Sequence, residues 1–219
     1  MSKKTYGQMC PIARALDVLG DRWTLLLIRE FLLGPKRFKD LLAVLPAMGT
    51  NRLSERLDML VENGVVQRTT LQGPTSAAAY ELTAHGEQLR KPVLALALWG
   101  MGLQMDEGID PATMRAELIL LGLTAAVDST SVDGLHERYE FHVGSEVFHV
   151  QVSKGAVVPR SGSSPAPVDV KIHCDVATFL DLAMGKISPS RALRERPLHL
   201  LQGDRAGLGR VFKILQYHQ

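Results

Sequence analysis

Cysteine, net charge and long apolar runs are all scarce in this chain of 219 residues. Its two cysteines, Cys10 and Cys174, lie far apart and form no CxxC pair, which argues against a disulfide framework. The most apolar stretches, 25–28 and 93–102, are too short to cross a membrane. The polar opening 1–8 has no signal-peptide core. A soluble chain in the reducing cytoplasm, with no membrane partner, is the expectation. A net charge of +2, from 25 basic and 23 acidic residues, argues against a uniformly basic nucleic-acid coat. No phosphate-cradling glycine loop, GxSxG elbow or dinucleotide fingerprint occurs, so neither an enzyme nor a cofactor is expected. The histidines show no zinc spacing: His142 and His149 could face across a hairpin, and His173 and Cys174 would point to opposite faces of a strand. No metal site is expected.

What is present is a globular composition, 46% hydrophobic and 22% charged, in a chain long enough for one large domain or two ordinary ones. Charge divides unevenly along it. Residues 1–92 carry 13 Lys and Arg against 9 Asp and Glu, a net of +4, while 93–219 carry 12 against 14, a net of −2. Pro11 can open a helix bearing Ile12, Ala15, Leu16 and Leu19, stopped at Gly20. Asp21 can cap a second, with Trp23, Leu26, Leu27, Phe31 and Leu32. A third places Phe38, Leu41, Leu42 and Leu45 on one face before the break at Pro46–Gly49. Thr50 is the expected cap of a fourth, 51–63, whose stripe is Leu53, Leu57, Leu60 and Val61. Two strands, 65–71 and 80–82, then flank a turn at 72–78, and a long helix over 84–105 tolerates Pro92 with a kink.

Three helices, a turn, a helix and a hairpin describe a winged helix-turn-helix. Its fourth helix offers Thr50, Asn51, Arg52, Ser54 and Arg56 to a major groove, and the hairpin tip offers Thr75 and Ser76 to the backbone or minor groove. Arg52, Arg56 and Arg68, with Arg37 and Lys39, are candidate phosphate anchors. Glu55 and Asp58 share the reading face, where Glu55 can accept from cytosine or remain solvated. Trp23 and Trp99 read as core or dimer-packing residues.

The ordered motifs resemble the HxlR-type transcriptional regulators. They run from Cys10-Pro11-Ile12 through Leu19-Gly20-Asp21-Arg22-Trp23, Ile28-Arg29, Gly34 and Arg37-Phe38. They continue with Asn51-Arg52-Leu53-Ser54, Arg56-Leu57, Leu60, Gly64-Val65-Val66 and Arg68, then Tyr80-Glu81-Leu82-Thr83, Gly86 and Trp99-Gly100. The resemblance covers about 8–105 and implies a homodimer on a palindromic double-stranded operator, with terminal helices in the dimer contact. One departure concerns the wing: family wings carry adjacent prolines and an arginine before the tyrosine, and here Gly73-Pro74 leads into Thr75-Ser76-Ala77-Ala78-Ala79 with no basic residue. The resemblance also makes Cys10, just before a helix start, a candidate redox sensor, beside the plainer reading of a small cap residue.

After 128–134 the pattern turns to alternation. Tyr139, Phe141 and Val143 alternate with polar neighbours, as do Phe148, Val150 and Val152, across a turn at Gly144-Ser145. Further strands are expected at 156–159, 168–174 and 198–201. Helices are expected at 111–123, with Met114, Leu118 and Leu121 on the buried side, from Asp175 to Met184, and at 204–216. This is an α+β domain with an antiparallel sheet and helices on one face. Asp175, Phe179-Leu180, Gly185-Lys186, Pro189, Ala192, Leu198 and Gly203-Asp204 resemble the sterol-carrier-protein-type lipid-binding fold. That resemblance implies an apolar cavity for a small-molecule effector, with Phe141, Phe148, Val150, Phe179, Leu182, Ala183 and Leu193 as candidate lining; packed core is the equal alternative. The chain thus reads as a DNA-binding and dimerisation domain, 1–107, and an effector domain, 108–219. The competing reading is a lipid or acyl-ligand carrier whose winged helix only dimerises.

Overall fold

The computed structural model describes residues 5–71, 76–103 and 114–215. The chain divides into two compact units, 1–93 and 94–219.

In the first unit the helices are α1 (Pro11–Leu19), α2 (Thr24–Leu32), α3 (Phe38–Val44) and α4 (Thr50–Glu62). Leu27, Ile28, Phe31 and Leu32 of α2 are buried with Leu41 of α3 and Leu53, Leu57 and Leu60 of α4. A 3-10 turn, Pro46–Met48, joins α3 to α4. Gly49, not Thr50, is the residue before the helix: its φ of 73° turns the chain, and Thr50 is already helical. The antiparallel strands β1 (Val66–Leu71) and β2 (Ala77–Leu82) follow, the second longer than its apolar pattern suggested. Lys36 adds a backbone bridge to Tyr80, each N–H donating to the other's carbonyl at 2.9 Å.

The long helix expected over 84–105 is two helices, α5 (Ala84–Glu87) and α6 (Arg90–Met101). Pro92 accounts for the break. It has no N–H for the Gln88 carbonyl four residues back, and its ring crowds that carbonyl, so the helix restarts at Arg90. Thr83 caps α5, accepting from the Gly86 N–H at 3.0 Å and donating to the Gly64 carbonyl at 2.6 Å.

In the second unit α7 (Ala116–Leu123) precedes β3 (Glu137–Val143), β4 (Glu146–Ser153), β5 (Ala156–Ser161) and β6 (Val170–Cys174). Then come α8 (Val176–Ala183), α9 (Pro189–Glu195), β7 (His199–Gln202) and α10 (Arg205–Leu215). The domain boundary read from the sequence, between 107 and 108, lies outside the described residues. Met114, expected on a buried helix face, precedes α7 and is exposed.

The sheet order is β5-β4-β3-β6-β7. It is mixed, not wholly antiparallel, because β3 and β6 run parallel. Hairpins occupy one side of β3, so the chain leaving β5 must cross to the free side and enter beside β3 in the same direction. One sheet face is apolar. Tyr139, Phe141, Phe148, Val150 and Ile172 join Phe179, Leu182, Val211 and Phe212 of α8 and α10 in one buried cluster. Asp175 caps α8, accepting from the Thr178 N–H at 2.6 Å.

The crossover is fastened to polar residues that alternate with this core. Glu140 accepts from the Ser164 N–H at 2.8 Å, and His149 Nδ1 lies 2.8 Å from the Gly162 carbonyl oxygen. His142 and His149 do not face each other: Glu140 opposes His149, and His142 opposes His173. No three ligand-type side chains converge on a metal position among the described residues.

Candidate nucleic-acid interface

Leu53, Leu57 and Leu60 fix which way α4 faces. All are buried, so the helix turns its other side outward. Thr50, Asn51, Arg52, Ser54 and Glu55, in the N-terminal half of α4, are exposed together. They combine hydroxyl, amide, guanidinium and carboxylate groups, the set that reads base edges and phosphates. Arg52 makes no ion pair among the described residues.

The other candidate cations differ from Arg52. Arg56 reaches the segment that leads into α2, with Nη2 3.4 Å from Asp21 Oδ2. Arg68, on β1, binds Asp58 of α4 at 2.8 Å. Arg37 precedes α3 and stands 4.0 Å from Asp40. Lys39 is exposed on α3 and makes no ion pair among the described residues. At the wing, Ser76 is exposed, and Thr75 lies outside the described residues.

Spacing within α4 made the exposed row legible. Asp21 and Asp58 were not legible as partners, since one read as a helix cap and the other as part of the reading face.

Cys10 is exposed, in extended conformation before α1, and its carbonyl accepts from the Arg14 N–H at 3.0 Å. Pro11, next to it, lines a groove of about 490 Å³ with Arg14, Leu19, Val65, His85 and Leu89. Cys174 is the opposite case. It is buried on β6, and burial, aided by the Asp175 carboxylate, pushes its thiol up to about 12.

The candidate effector residues form packed core. Phe141 stacks on Phe148 with ring centroids 5.4 Å apart, and Phe179 meets both edge-on at 5.9 and 5.7 Å. Val150, Leu182 and Ala183 are buried, and Leu193 packs against the cluster. A pocket of about 180 Å³ lies beside this cluster, lined by Leu182, Ile187, Pro189, Phe212 and Lys213. Of the seven residues read from sequence, only Leu182 reaches it.

Two families match the two parts of the chain. A model described as HxlR-like helix-turn-helix matches residues 18–107, and one described as the SCP-2 sterol transfer family matches 120–216. The HTH-type transcriptional regulator YodB of Bacillus subtilis is 35% identical over 92 residues, which are 42% of this chain and 82% of YodB. A Mycobacterium bovis regulator, Mb3122, is 38% identical over 89 residues, 41% of this chain; the chain spans 56% of that longer protein. Among solved structures, the redox regulator HypR in its oxidised form shares 29% identity, with a TM-score of 0.41 over 44% of this chain and all of HypR. YodB has been solved reduced, diamide-treated and quinone-bound. These relatives are transcriptional regulators, not enzymes. No helix among the described residues is long and apolar enough to cross a membrane.

Proposed function

The chain belongs to the HxlR-like helix-turn-helix family of transcriptional regulators and carries an SCP-2 domain behind that motif, and from this premise we propose that it binds a palindromic operator as a homodimer and answers to small molecules. The observation that carries the DNA reading is the exposed row Asn51, Arg52 and Ser54, held outward by the buried leucines of α4. Asn51 and Ser54 meet base edges, while Arg52 and Lys39 meet phosphates. Arg52→Ala should weaken binding to a duplex enriched by the chain from a random library. It should also lower the slope of log K against log salt by about two units, one contact being lost on each protomer of the dimer. An unchanged slope and affinity would remove Arg52 from the interface.

Dimerisation is supported by apolar side chains left open on the terminal helices of the winged helix. Ile12 and Leu16 are exposed on α1, and Leu96 and Trp99 on α6. A twofold dimer presents two copies of α4, which fits half-sites one DNA turn, ~34 Å, apart.

The SCP-2 match supports an apolar effector. Its entrance is the pocket beside Leu182, because the phenylalanine interior is filled. The same match favours a second reading, a lipid carrier that uses the winged helix only to dimerise. Failure to enrich any duplex, together with tight binding of a fatty-acyl probe, would select that reading.

Cys10 completes the proposal. It is exposed in extended conformation just before α1, where an oxidant or electrophile can reach its sulfur, and YodB, 35% identical over 92 residues, has been solved diamide-treated and quinone-bound. Loss of the operator response to diamide in Cys10→Ser is the expected result. A response that survives the substitution excludes Cys10 as the sensor.

A further inference from the structure

The sequence casts Arg56 as a phosphate anchor, yet the fold gives its guanidinium an internal partner. Its Nη2 reaches Asp21 Oδ2 at 3.4 Å, and the side chains of Arg56 and Asp21 are only 28% and 30% exposed. Arg56 Nε is wholly shielded from solvent and has no hydrogen-bond partner among the described residues. Asp21 is itself held, since its other oxygen accepts from the Trp23 N–H at 3.1 Å. The carboxylate therefore ties the entry of α2 to the reading half of α4. Arg52, one turn earlier on the same helix, is exposed and makes no such tie.

We propose that Arg56 is a positioning residue, and that the Asp21–Arg56 pair sets the orientation of α4 in the groove without contributing a phosphate contact. The inference rests on the DNA-binding reading above. The apolar stripe of α4 cannot do this alone. Leu53, Leu57 and Leu60 bury area, and apolar burial has no direction of its own. Three leucines along one line leave rotation about that line weakly opposed. A charged hydrogen-bonding pair has a preferred geometry and lies to one side of the stripe, so it resists that rotation. Freeing Arg56 for DNA would strand Asp21, a carboxylate, beside the polyanion.

The test is a double-mutant cycle on the full chain with a duplex it enriches from a random library. Asp21→Asn keeps an oxygen for the Trp23 N–H and removes the charge. Arg56→Ala removes the cation, and Arg56→Gln replaces it if the alanine variant melts early. Each single variant should bind about two- to fivefold more weakly, the range for a half-exposed ion pair. The double variant should be no worse than either single one, and all should keep the wild-type salt slope. A slope lowered by about two units in the Arg56 variants, one contact per protomer, would make Arg56 a phosphate anchor and overturn the proposal. Unchanged or tighter binding by Asp21→Asn, or additive losses, would overturn it equally. If the wild-type chain enriches no duplex, the DNA-binding reading itself has failed, a result distinct from any outcome of the cycle.

Discussion

Glu140 is an acid placed where burial works against its charge. Burial is its largest influence and raises its pKa. Hydrogen bonds from His142 at 2.8 Å, Lys171 at 2.9 Å and the Ser164 N–H at 2.8 Å outweigh burial and hold the carboxyl down to about 2. A pKa lowered from the ordinary 4.5 means the folded state releases a proton that the unfolded chain retains. The stabilisation is therefore complete above about pH 4.5 and is lost as pH falls towards 2, with a full value of about 3 kcal/mol. Glu140→Gln should cost ~1–3 kcal/mol at neutral pH. It should also flatten the acid limb of stability, measured by urea unfolding at a series of pH values. An unchanged limb would show that the crossover from β5 to β6 does not depend on this carboxylate. Alternation along β3 puts Glu140 and His142 on one polar face, so that partner was legible; Ser164 and Lys171 were not, since they come from a loop and from a strand that the sequence did not pair with β3.

At the scale of elements, apolar spacing revealed most of the winged helix, because Leu27, Phe31 and Leu32 of α2, Leu41 of α3 and Leu53, Leu57 and Leu60 of α4 recur at helical spacing and are buried. Two of the expected caps were legible, since Thr83 and Asp175 bind the amide groups their positions implied, whereas Trp23 and Gly49 stand where Asp21 and Thr50 were expected to cap α2 and α4. The parallel placement of β6 was not, since it follows from which sheet edge remained open, a property of several strands together. Nor was the packing of α5. Gly86 is helical and looks replaceable, yet a Cβ there would stand 2.0 Å from the Val65 carbonyl oxygen and 3.0 Å from Leu82 Cδ2. Gly86→Ala must push α5 off the start of the wing. Its expected cost is about 1–3 kcal/mol, against the gain a glycine-to-alanine change brings to an open helix. A thermal melt decides the sign. Leu57→Ala removes a buried side chain from the reading helix and should cost ~2–5 kcal/mol. It should reduce DNA binding only to the extent that the fold is lost.

For the whole molecule, charge and assembly must together account for affinity. The front of the chain carries a net +4, less than its basic count implies, and much of it is committed. Of the five basic side chains read as DNA contacts, Arg37, Arg56 and Arg68 each face a carboxylate of their own chain. Lys39 and Arg52 are left to meet phosphate, two per protomer and four per dimer. At 0.9 of a unit per phosphate, the salt slope of a dimer should be about −4, whereas release of all five on each protomer would give about −9. Affinity must then come from holding two modest readers together, so it should fail when the dimer does. Trp99→Glu places a charge on the exposed apolar part of α6. It should shift sedimentation towards the monomer and weaken operator binding steeply, while leaving the melting of the winged helix nearly unchanged. A Trp99→Glu chain that stays dimeric would move the interface elsewhere. A slope near −9 would mean that the internal ion pairs open onto DNA, and that charge, more than assembly, carries the affinity.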